Sequence, residues 1–459
     1  MITYQDLQKV GDSEQDIVAF VYSAISTHKM SDQYKTAEIA EDYVRQKNTT
    51  ICEYQKTLFD LTGKEVEDKW SANYKLPSNF FNRFVTQENQ YLLGNGITWE
   101  KGSGKKALGE DFDTKLQTLG KYALVEGVAF GFWNYDHLAT FKLTEFAPLW
   151  DEEDGSLKAG IRFWQIDKSK PERATLYELD GYTDFMWTTG NEPESSAWHQ
   201  VHGGVYMTNK TKYKLTLRTS PVDGVEIIDG ENYPTFPIVP LWGNPNHQSE
   251  LVGIRPQIDA YDFIKSGFAN DLDNAQIYWI LHNTGGMDDV DLAEFLRRIR
   301  SVGAAMVDSD DGVAVESHTI DIPSTARTEL LDRLRSDLYE DAMALDVKII
   351  SSGAVTATEI LAAYEPLNAK TDQYEYCILD FMDKIMELAG VDDVPTFQRS
   401  MINNTTEDLQ NVVTAATFLP QEYVTRKIVT ILGDGDKADE VQEKYINGEV
   451  REFRAGDEE

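Results

Sequence analysis

The spacing of apolar residues changes twice along the chain, and this limits the folds that the sequence can adopt. In the first 130 residues, apolar side chains recur every three or four positions, as on one face of a helix. From Ala129 to about Ile228 they alternate with polar residues, which is typical of strands with one buried face. After four prolines within 234–245 the helical spacing returns. The sequence therefore predicts an α+β fold with an antiparallel meander in its middle.

The second helical part has an uncommon order of segments. A helix over 254–272 and another over 323–346 enclose a compact segment of mixed character, 277–322. A run of small and aliphatic residues, 348–355, leads into a third helix that begins near Thr358. Apolar residues at steps of four and three along this third helix predict a seam like that of a coiled coil: Tyr374, Ile378, Phe381, Ile385 and Leu388.

Prolines and glycines mark the limits of the predicted elements. The third helix should kink at Pro366, because proline removes a backbone hydrogen bond, and should end at Gly390. The residues from 391 to 459 predict one strand, Thr396 to Ile402, then two or three short helices and a frayed end. Helices in the first part of the chain are predicted around 31–43, 79–93 and 111–130.

The charge balance is strongly acidic. The 459 residues contain 43 Lys and Arg against 78 Asp and Glu, which gives a formal net charge of −35. A protein that grips nucleic acid usually presents a basic patch that displaces counterions, so this chain should repel polyanions at long range. A soluble acidic protein with a solvated surface explains the same composition equally well.

Cysteine usage and hydropathy bear on the compartment. Only two cysteines occur, Cys52 and Cys377, which argues against a disulfide scaffold and fits a reducing environment. We expect both to be small buried apolar residues. The chain has no apolar run of the length that a membrane span needs, and its first ten residues do not resemble a secretory signal.

Three short motifs contain residue types used in phosphate or metal binding, but their spacing argues against such sites. Gly102–Lys106 has a lysine where a phosphate loop needs Ser or Thr, so a flexible surface turn is predicted. In Asp308–Gly312 the glycine comes one place too early for a calcium loop. His199 and His202 are close, but no Cys or carboxylate follows at a metal-binding spacing. No catalytic, cofactor-binding or metal-ligating residue is predicted.

Several stretches form a collinear pattern over most of the chain. The first, 71–80, precedes a segment that ends in Tyr-Leu-Leu-Gly at Gly94. The strongest combines Phe236–Pro240 with Ile258–Asp262 at the start of the first long helix, and the last is Ser351–Ala357. In this order the stretches resemble the portal protein family of tailed phages, in the branch typical of long-tailed phages of Gram-positive hosts.

The resemblance implies a ring, usually a dodecamer, whose subunits have a portal fold. The C-terminal helical crown would be shorter here than in many members of the family. The implied regions are a wing over 1–248, a first stem helix over 249–276, a small α/β clip over 277–322, a second stem helix over 323–346, a tunnel loop over 347–357, a kinked wing helix over 358–390, and a wing strand with a short helical crown over 391–459.

The resemblance also implies a channel for double-stranded DNA. Because each phosphate contact strengthens binding, a mostly acidic channel would let DNA slide without adhering. Basic residues of the stem that could offset the repulsion are Lys265, Arg327, Arg333 and Arg335, although inter-helix salt bridges explain these arginines equally well. The tunnel-loop residues expected to line the channel are Lys348, Ile350, Ser351, Ser352, Gly353, Ala354 and Val355.

A portal role implies a set of partners and a location. The partners would be further copies of the chain, the terminase large subunit, the major capsid and scaffolding proteins, and a head-completion adaptor. The protein would be assembled in the host cytoplasm and lie at a vertex of the virion, without catalytic activity or contact with a membrane. Two alternatives stay open: another capsid-associated interaction or adaptor protein, and an acidic enzyme with an unrecognised site.

Overall fold

The computed structural model contains both α-helices and β-strands, which confirms the predicted α+β class. The chain divides into two units, Met1–Val347 with Tyr364–Arg399, and Lys348–Ala363 with Ser400–Glu459. The structure describes residues 2–11, 13–59, 63–69, 71–188, 190, 193, 195, 197–220, 224–273, 277–282, 290–291, 293–295, 297, 314–319, 323–348, 357–400, 405–432, 438 and 441.

Twelve α-helices have both ends within the described residues, and most of them fall where the helical spacing predicts them. They are α1 (Tyr4–Gln8), α2 (Glu14–Met30), α3 (Asp32–Val44), α4 (Thr49–Cys52), α5 (Phe80–Leu93), α6 (Ser103–Leu108), α7 (Phe112–Glu126), α8 (Leu251–Asp273), α9 (Ser324–Asp341), α10 (Ala357–Ala389), α11 (Thr405–Ala415) and α12 (Gln421–Ile431).

The described strands number seventeen and lie mainly in the middle of the chain. They are β1 (Thr57–Phe59), β2 (Glu65–Glu67), β3 (Ile97–Trp99), β4 (Val128–Asn134), β5 (His137–Lys142), β6 (Phe146–Trp150), β7 (Leu157–Trp164), β8 (Glu172–Glu178), β9 (Gly181–Trp187), β10 (Trp198–His202), β11 (Val205–Thr208), β12 (Lys214–Ser220), β13 (Gly224–Glu231), β14 (Ile238–Trp242), β15 (Ile277–His282), β16 (Ala314–Thr319) and β17 (Pro395–Phe397).

The predicted meander is confirmed as a six-stranded antiparallel sheet in the order β10-β11-β9-β8-β7-β6. Turns at Asp154–Gly155 and Asp180–Gly181 separate successive strands, as their sequences predict. A second sheet, β14-β4-β5, brings the proline-rich segment back against β4. Pro240 lies in β14 at the edge of this sheet, where its missing N–H interrupts no ladder.

The main core lies between α5, α7, α8 and α10. The seam predicted on α10 is confirmed, because Tyr374, Ile378, Phe381 and Ile385 are at most 1% exposed. α7 approaches this seam so closely that a Cβ at Gly120 would overlap the hydroxyl oxygen of Tyr374. The core therefore requires a residue without a side chain at this crossing.

Two predicted helices end earlier than their spacing indicates. The helix expected over 111–130 ends at Glu126, because Gly127 has a φ of +90° and its backbone packs against Gln248. The chain then enters β4. The helix expected over 323–346 ends at Asp341, since Met343 adopts a left-handed conformation with a φ of +52°. Apolar spacing does not detect either reversal.

Predictions of local structure and of the ends of shorter elements agree less well with the structure. Gly102–Lys106 was expected to be a flexible turn, but Ser103 to Leu108 form a helical turn, and Gly104 is buried. The strand expected from Thr396 to Ile402 is β17, which ends at Phe397. The end predicted for the third long helix is confirmed, because the helix ends at Ala389 and Gly390 has a φ of +68°; the helix continues through Pro366. Asp308–Gly312 lies outside the described residues.

A segment without regular structure, residues 74–78, runs along α8 and is held there by three polar side chains. The backbone N–H groups of Tyr74, Leu76 and Ser78 donate to Asn270, Ser266 and Asp262 at 2.5, 3.0 and 2.8 Å. Every second residue of the segment therefore meets every fourth residue of the helix. We call this contact the ladder.

The three side chains of α8 that accept hydrogen bonds in the ladder are buried. Asp262, Ser266 and Asn270 are 0%, 1% and 9% exposed. These buried oxygens accept hydrogen bonds from the backbone N–H groups of the segment, which is itself exposed at Tyr74. The ladder therefore joins the segment before α5 to the first long helix.

We predict that Ser266→Ala lowers the free energy of unfolding by about 1–3 kcal/mol, because the N–H of Leu76 is left without its acceptor. Ser336→Ala is the control, since Ser336 is exposed on α9 and should change stability by less than about 0.5 kcal/mol. Urea denaturation followed by tryptophan fluorescence measures both. Equal effects of the two substitutions would contradict the role of the ladder.

Candidate functional site

The two long helices α8 and α9 pack against each other in antiparallel directions. Arg327 near the start of α9 forms an ion pair with Asp271 near the end of α8. At the opposite end, Gln257 of α8 donates a hydrogen bond to Asp341. The first contact is an inter-helix salt bridge of the kind that the sequence left open for the stem arginines.

The other basic residues predicted for these helices make local contacts. Arg333 lies 2.9 Å from Asp337 on the same helix, and its side chain is 76% exposed. The amino group of Lys265 lies 6.0 Å from the ring centre of Tyr261. Each helix carries more carboxylates than basic residues, with three arginines against five carboxylates on α9. Contact of these residues with DNA stays a prediction.

The predicted tunnel loop, 347–357, is described only at its ends, Val347, Lys348 and Ala357, of which Ala357 is the first residue of α10. Lys348 is exposed. Ile350, Ser351, Ser352, Gly353, Ala354 and Val355 lie outside the described residues. Their role as channel-lining residues stays a prediction.

The chain that enters this loop is held at Leu345. The side-chain amide of Gln87 on α5 accepts a hydrogen bond from the backbone N–H of Leu345 at 3.0 Å and donates one to its carbonyl at 3.1 Å. A single glutamine thus binds both backbone groups of one residue, as a neighbouring strand would. Sequence reasoning missed Gln87, because no local pattern indicates a contact with a residue 258 positions away.

The next residue is also held. Arg335 makes a two-point contact with Asp346, with nitrogen–oxygen distances of 2.7 and 2.8 Å. The guanidinium group also lies 4.8 Å from the ring centre of Tyr339, and the carboxylate of Asp346 raises the pKa of Arg335. Arg335 was predicted as a channel residue, and the structure places it at the exit of the chain from α9.

A buried charged cluster lies beside this exit. The amino group of Lys370 on α10 lies 2.9 Å from Glu88 of α5 and 2.7 Å from Glu250, and it donates to the carbonyl of Ala342. A cavity of about 200 Å³ adjoins the three side chains. The cluster joins α5 and α10 to the residue before α8, Glu250, and to the residue after α9, Ala342.

Burial sets the protonation of this cluster. Desolvation raises the pKa of Glu88 to about 7, because the repulsion of Glu250 adds to it and the attraction of Lys370 only partly opposes it. Desolvation opposes the charge of Lys370, but the two carboxylates outweigh it and raise the pKa of Lys370. The folded state therefore favours the protonated form of Glu88 more than water does.

A second buried carboxyl stands beside the meander. Desolvation raises the pKa of Glu126 well above its ordinary value, and the neighbouring charge of Glu41 raises it further. Glu126 accepts a hydrogen bond from the backbone of Thr144, and Lys142 contacts Glu41. Glu41 lies on α3 and Glu126 on α7, so the two carboxyls meet where these helices pack together.

The Gly102–Lys106 motif binds a carboxylate of the chain itself. The backbone N–H of Gly104 and the hydroxyl of Ser103 donate to Asp393 at 2.9 and 3.0 Å. Desolvation of Asp393 is outweighed by the backbone donors of Lys101, Gly104 and Val394, which hold its pKa well below the usual range. The motif thus connects α6 to the segment after α10.

The described part of the chain shows neither a cluster of metal-ligating side chains nor a helix that could span a membrane. No group of three or more His, Cys, Asp or Glu residues there has a geometry suited to a metal ion. His199 instead lies 3.1 Å from Glu14. None of the helices in the described ranges is both long and apolar enough to cross a membrane.

Comparison with known proteins gives consistent matches. A family model described as phage portal protein, SPP1 Gp6-like, matches residues 24–445. The portal protein of Bacillus phage SPP1 is 24% identical over 399 residues, which cover 79% of this chain and 74% of that protein. The portal protein of Clostridium phage phiCD119 is 26% identical over 223 residues, 47% of this chain and 49% of that protein. The chain thus aligns with about half the length of the Clostridium phage protein.

We predict that Glu88 makes stability depend on pH. The folded pKa is about 7 and the ordinary value is 4.5, so the folded state holds the proton more tightly. This contribution is present below pH 4.5 and is lost as the pH rises through 7, which costs about 2 kcal/mol between pH 5 and 8.

Urea denaturation between pH 5 and 8 measures this dependence. The variant Glu88→Gln lacks the titrating group, so its loss of stability over this range should be smaller by about 2 kcal/mol. Glu329→Gln, at an exposed position on α9, should keep the dependence of the unmodified protein. An unchanged dependence in Glu88→Gln would contradict the assignment.

Proposed function

The chain belongs to the SPP1 Gp6-like family of phage portal proteins, and on this premise we propose that it is one subunit of a ring that conducts double-stranded DNA into and out of a phage head. The match of the family model over residues 24–445 carries this proposal. It also favours a portal over another capsid-associated adaptor. Both relatives carry the name portal protein, and the family consists of structural phage proteins.

We assign the regions of the subunit as the resemblance implies. Helices α8 and α9 form the stem, and the segment between them, 277–322, forms the clip that faces the terminase and later a head-completion adaptor. The pairing of β15 with β16 supports a small folded unit there. Residues 347–357 form the tunnel loop, and the helices after 400 form a short crown. The remaining residues belong to the wing.

The acidic charge supports a repulsive channel. Both stem helices carry an excess of carboxylates, and the whole chain has a net charge of −35. DNA that contacts many phosphate-binding side chains would be held rather than conducted, because each contact adds to the affinity. The exposed Arg333 and Lys348 are the basic residues that we propose to contact DNA. In this proposal the terminase supplies the energy of ATP hydrolysis.

The proposal places the protein at one vertex of the phage head. Further copies of the chain complete the ring, which in this family is usually a dodecamer. The major capsid and scaffolding proteins surround the wing during assembly in the host cytoplasm. These partners follow from the portal role.

Ring formation is the first test. Purified full-length protein should form rings with a central hole in negative-stain electron micrographs, because the channel requires several subunits. Analytical ultracentrifugation of the same sample measures the mass of the assembly. A uniformly monomeric species at high concentration would exclude the proposal.

The tunnel loop provides the second test. Deletion of residues 351–355 should leave ring assembly intact but block packaging or retention of DNA in phage heads. The measurement is the amount of nuclease-protected DNA per assembled head, with electron micrographs of the rings as the control. Normal packaging by the shortened protein would remove the assignment of this loop.

A further inference from the structure

The chain passes from buried to exposed within a few residues as it leaves α9. Leu345 is 5% exposed, whereas Val347 is 55% exposed. Between the end of α9 and this point, Met343 reverses the chain with a φ of +52°, and the N–H of Ala344 donates to the carbonyl of Tyr339. This conformation is unfavourable for a residue with a side chain, so the surrounding contacts must stabilise it. We call residues 342–346 the loop root.

Two side chains hold the loop root by four hydrogen bonds. Gln87 binds the N–H and the carbonyl of Leu345, and Arg335 binds both carboxylate oxygens of Asp346. A planar guanidinium group on a carboxylate restricts both distance and orientation, unlike a lysine on the same partner. The side chains of Arg335 and Asp346 are only 19% and 11% exposed, so water screens this contact little.

Helix α5 supports both contacts. Arg83, one helical turn before Gln87, donates to the hydroxyl of Tyr339 at 2.8 Å. The ring of Tyr339 in turn lies beneath the guanidinium group of Arg335. The residue after Gln87 is Glu88, which binds Lys370, and Lys370 binds the carbonyl of Ala342. The loop root is therefore tied to one wing helix at three places.

We propose that Gln87 and Arg335 are positioning residues that fix the point at which the DNA-lining loop leaves the second stem helix. This inference rests on the proposed function of the loop. With the root held, a loop displaced by passing DNA pivots after Asp346, and the end of α9 keeps its hydrogen bonds. Without the anchors, the same force would unwind the last turn of α9 and move the loop away from the channel axis.

Hydrogen exchange measured by mass spectrometry tests the anchor on assembled rings. In Gln87→Leu the N–H of Leu345 loses its acceptor, so a peptide covering 343–348 should exchange about tenfold faster. Gln90→Leu is the matched control, because Gln90 is exposed on the same helix and three residues away. It should leave exchange in 343–348 unchanged. Faster exchange throughout the protein would indicate general destabilisation instead.

DNA packaging tests the consequence. Gln87→Leu and Arg335→Lys should lower nuclease-protected DNA per head about tenfold while rings form normally. Arg45→Lys is the control for the arginine, since Arg45 makes a one-point contact with Glu41 at an exposed position. Gln87→Glu keeps the acceptor but loses the donor, so it should package an intermediate amount. This graded order distinguishes positioning from a general loss of stability.

The outcomes separate this inference from the proposed function. If the deletion of 351–355 blocks packaging but Gln87→Leu and Arg335→Lys package normally, the anchor is wrong and the loop assignment stands. If the deletion packages normally, the loop assignment itself is wrong. Should Gln87→Leu fail to assemble, Gln87→Glu and Arg335→Lys decide the question, and normal packaging by both would overturn the anchor.

Discussion

The position of α5 depends on the ladder between residues 74–78 and α8. These residues run directly into α5 at Phe80, so their hydrogen bonds to Asp262, Ser266 and Asn270 determine where that helix begins relative to α8. α5 then presents Gln87 to the loop root and Glu88 to Lys370. A contact made by backbone groups thus places the side chains that hold the end of α9.

Electrostatics adds a second constraint at the same junction. Lys370 and its two carboxylate partners, Glu88 and Glu250, come from segments far apart in the chain and are largely removed from water. Buried charges contribute little net stability as a set, but removal of one partner leaves another uncompensated. The cluster therefore favours one arrangement of α5, α10 and the end of α9 over others. The loop root lies beside this cluster, since Lys370 also binds the carbonyl of Ala342.

Periodicity predicted the larger elements correctly because each buries one continuous face. The antiparallel meander and the seam from Tyr374 to Ile385 both follow from such faces. The ends of helices were less predictable, since Gly127 and Met343 reverse the chain with positive φ angles, and Gly127 does so against the distant Gln248. The order of segments, rather than any single motif, indicated the portal family, and the family match agrees with it.

The candidate site was predictable only in part. Arg327 and Arg335 were identified as basic residues on the long helices, but their partners Asp271 and Asp346 were not. Gln87 carries no charge and no motif, so only its contact with Leu345 reveals it. The ladder also has an intrinsic length limit. Two residues of extended chain advance about 6.6 Å and four helical residues about 6.0 Å. The donors on the segment and the acceptors on α8 therefore shift by about 0.6 Å relative to each other at each successive hydrogen bond. Three hydrogen bonds can therefore form in register, whereas a much longer segment would drift out of register with α8 and lose its hydrogen bonds. The ladder thus limits the length of the segment that α8 can hold.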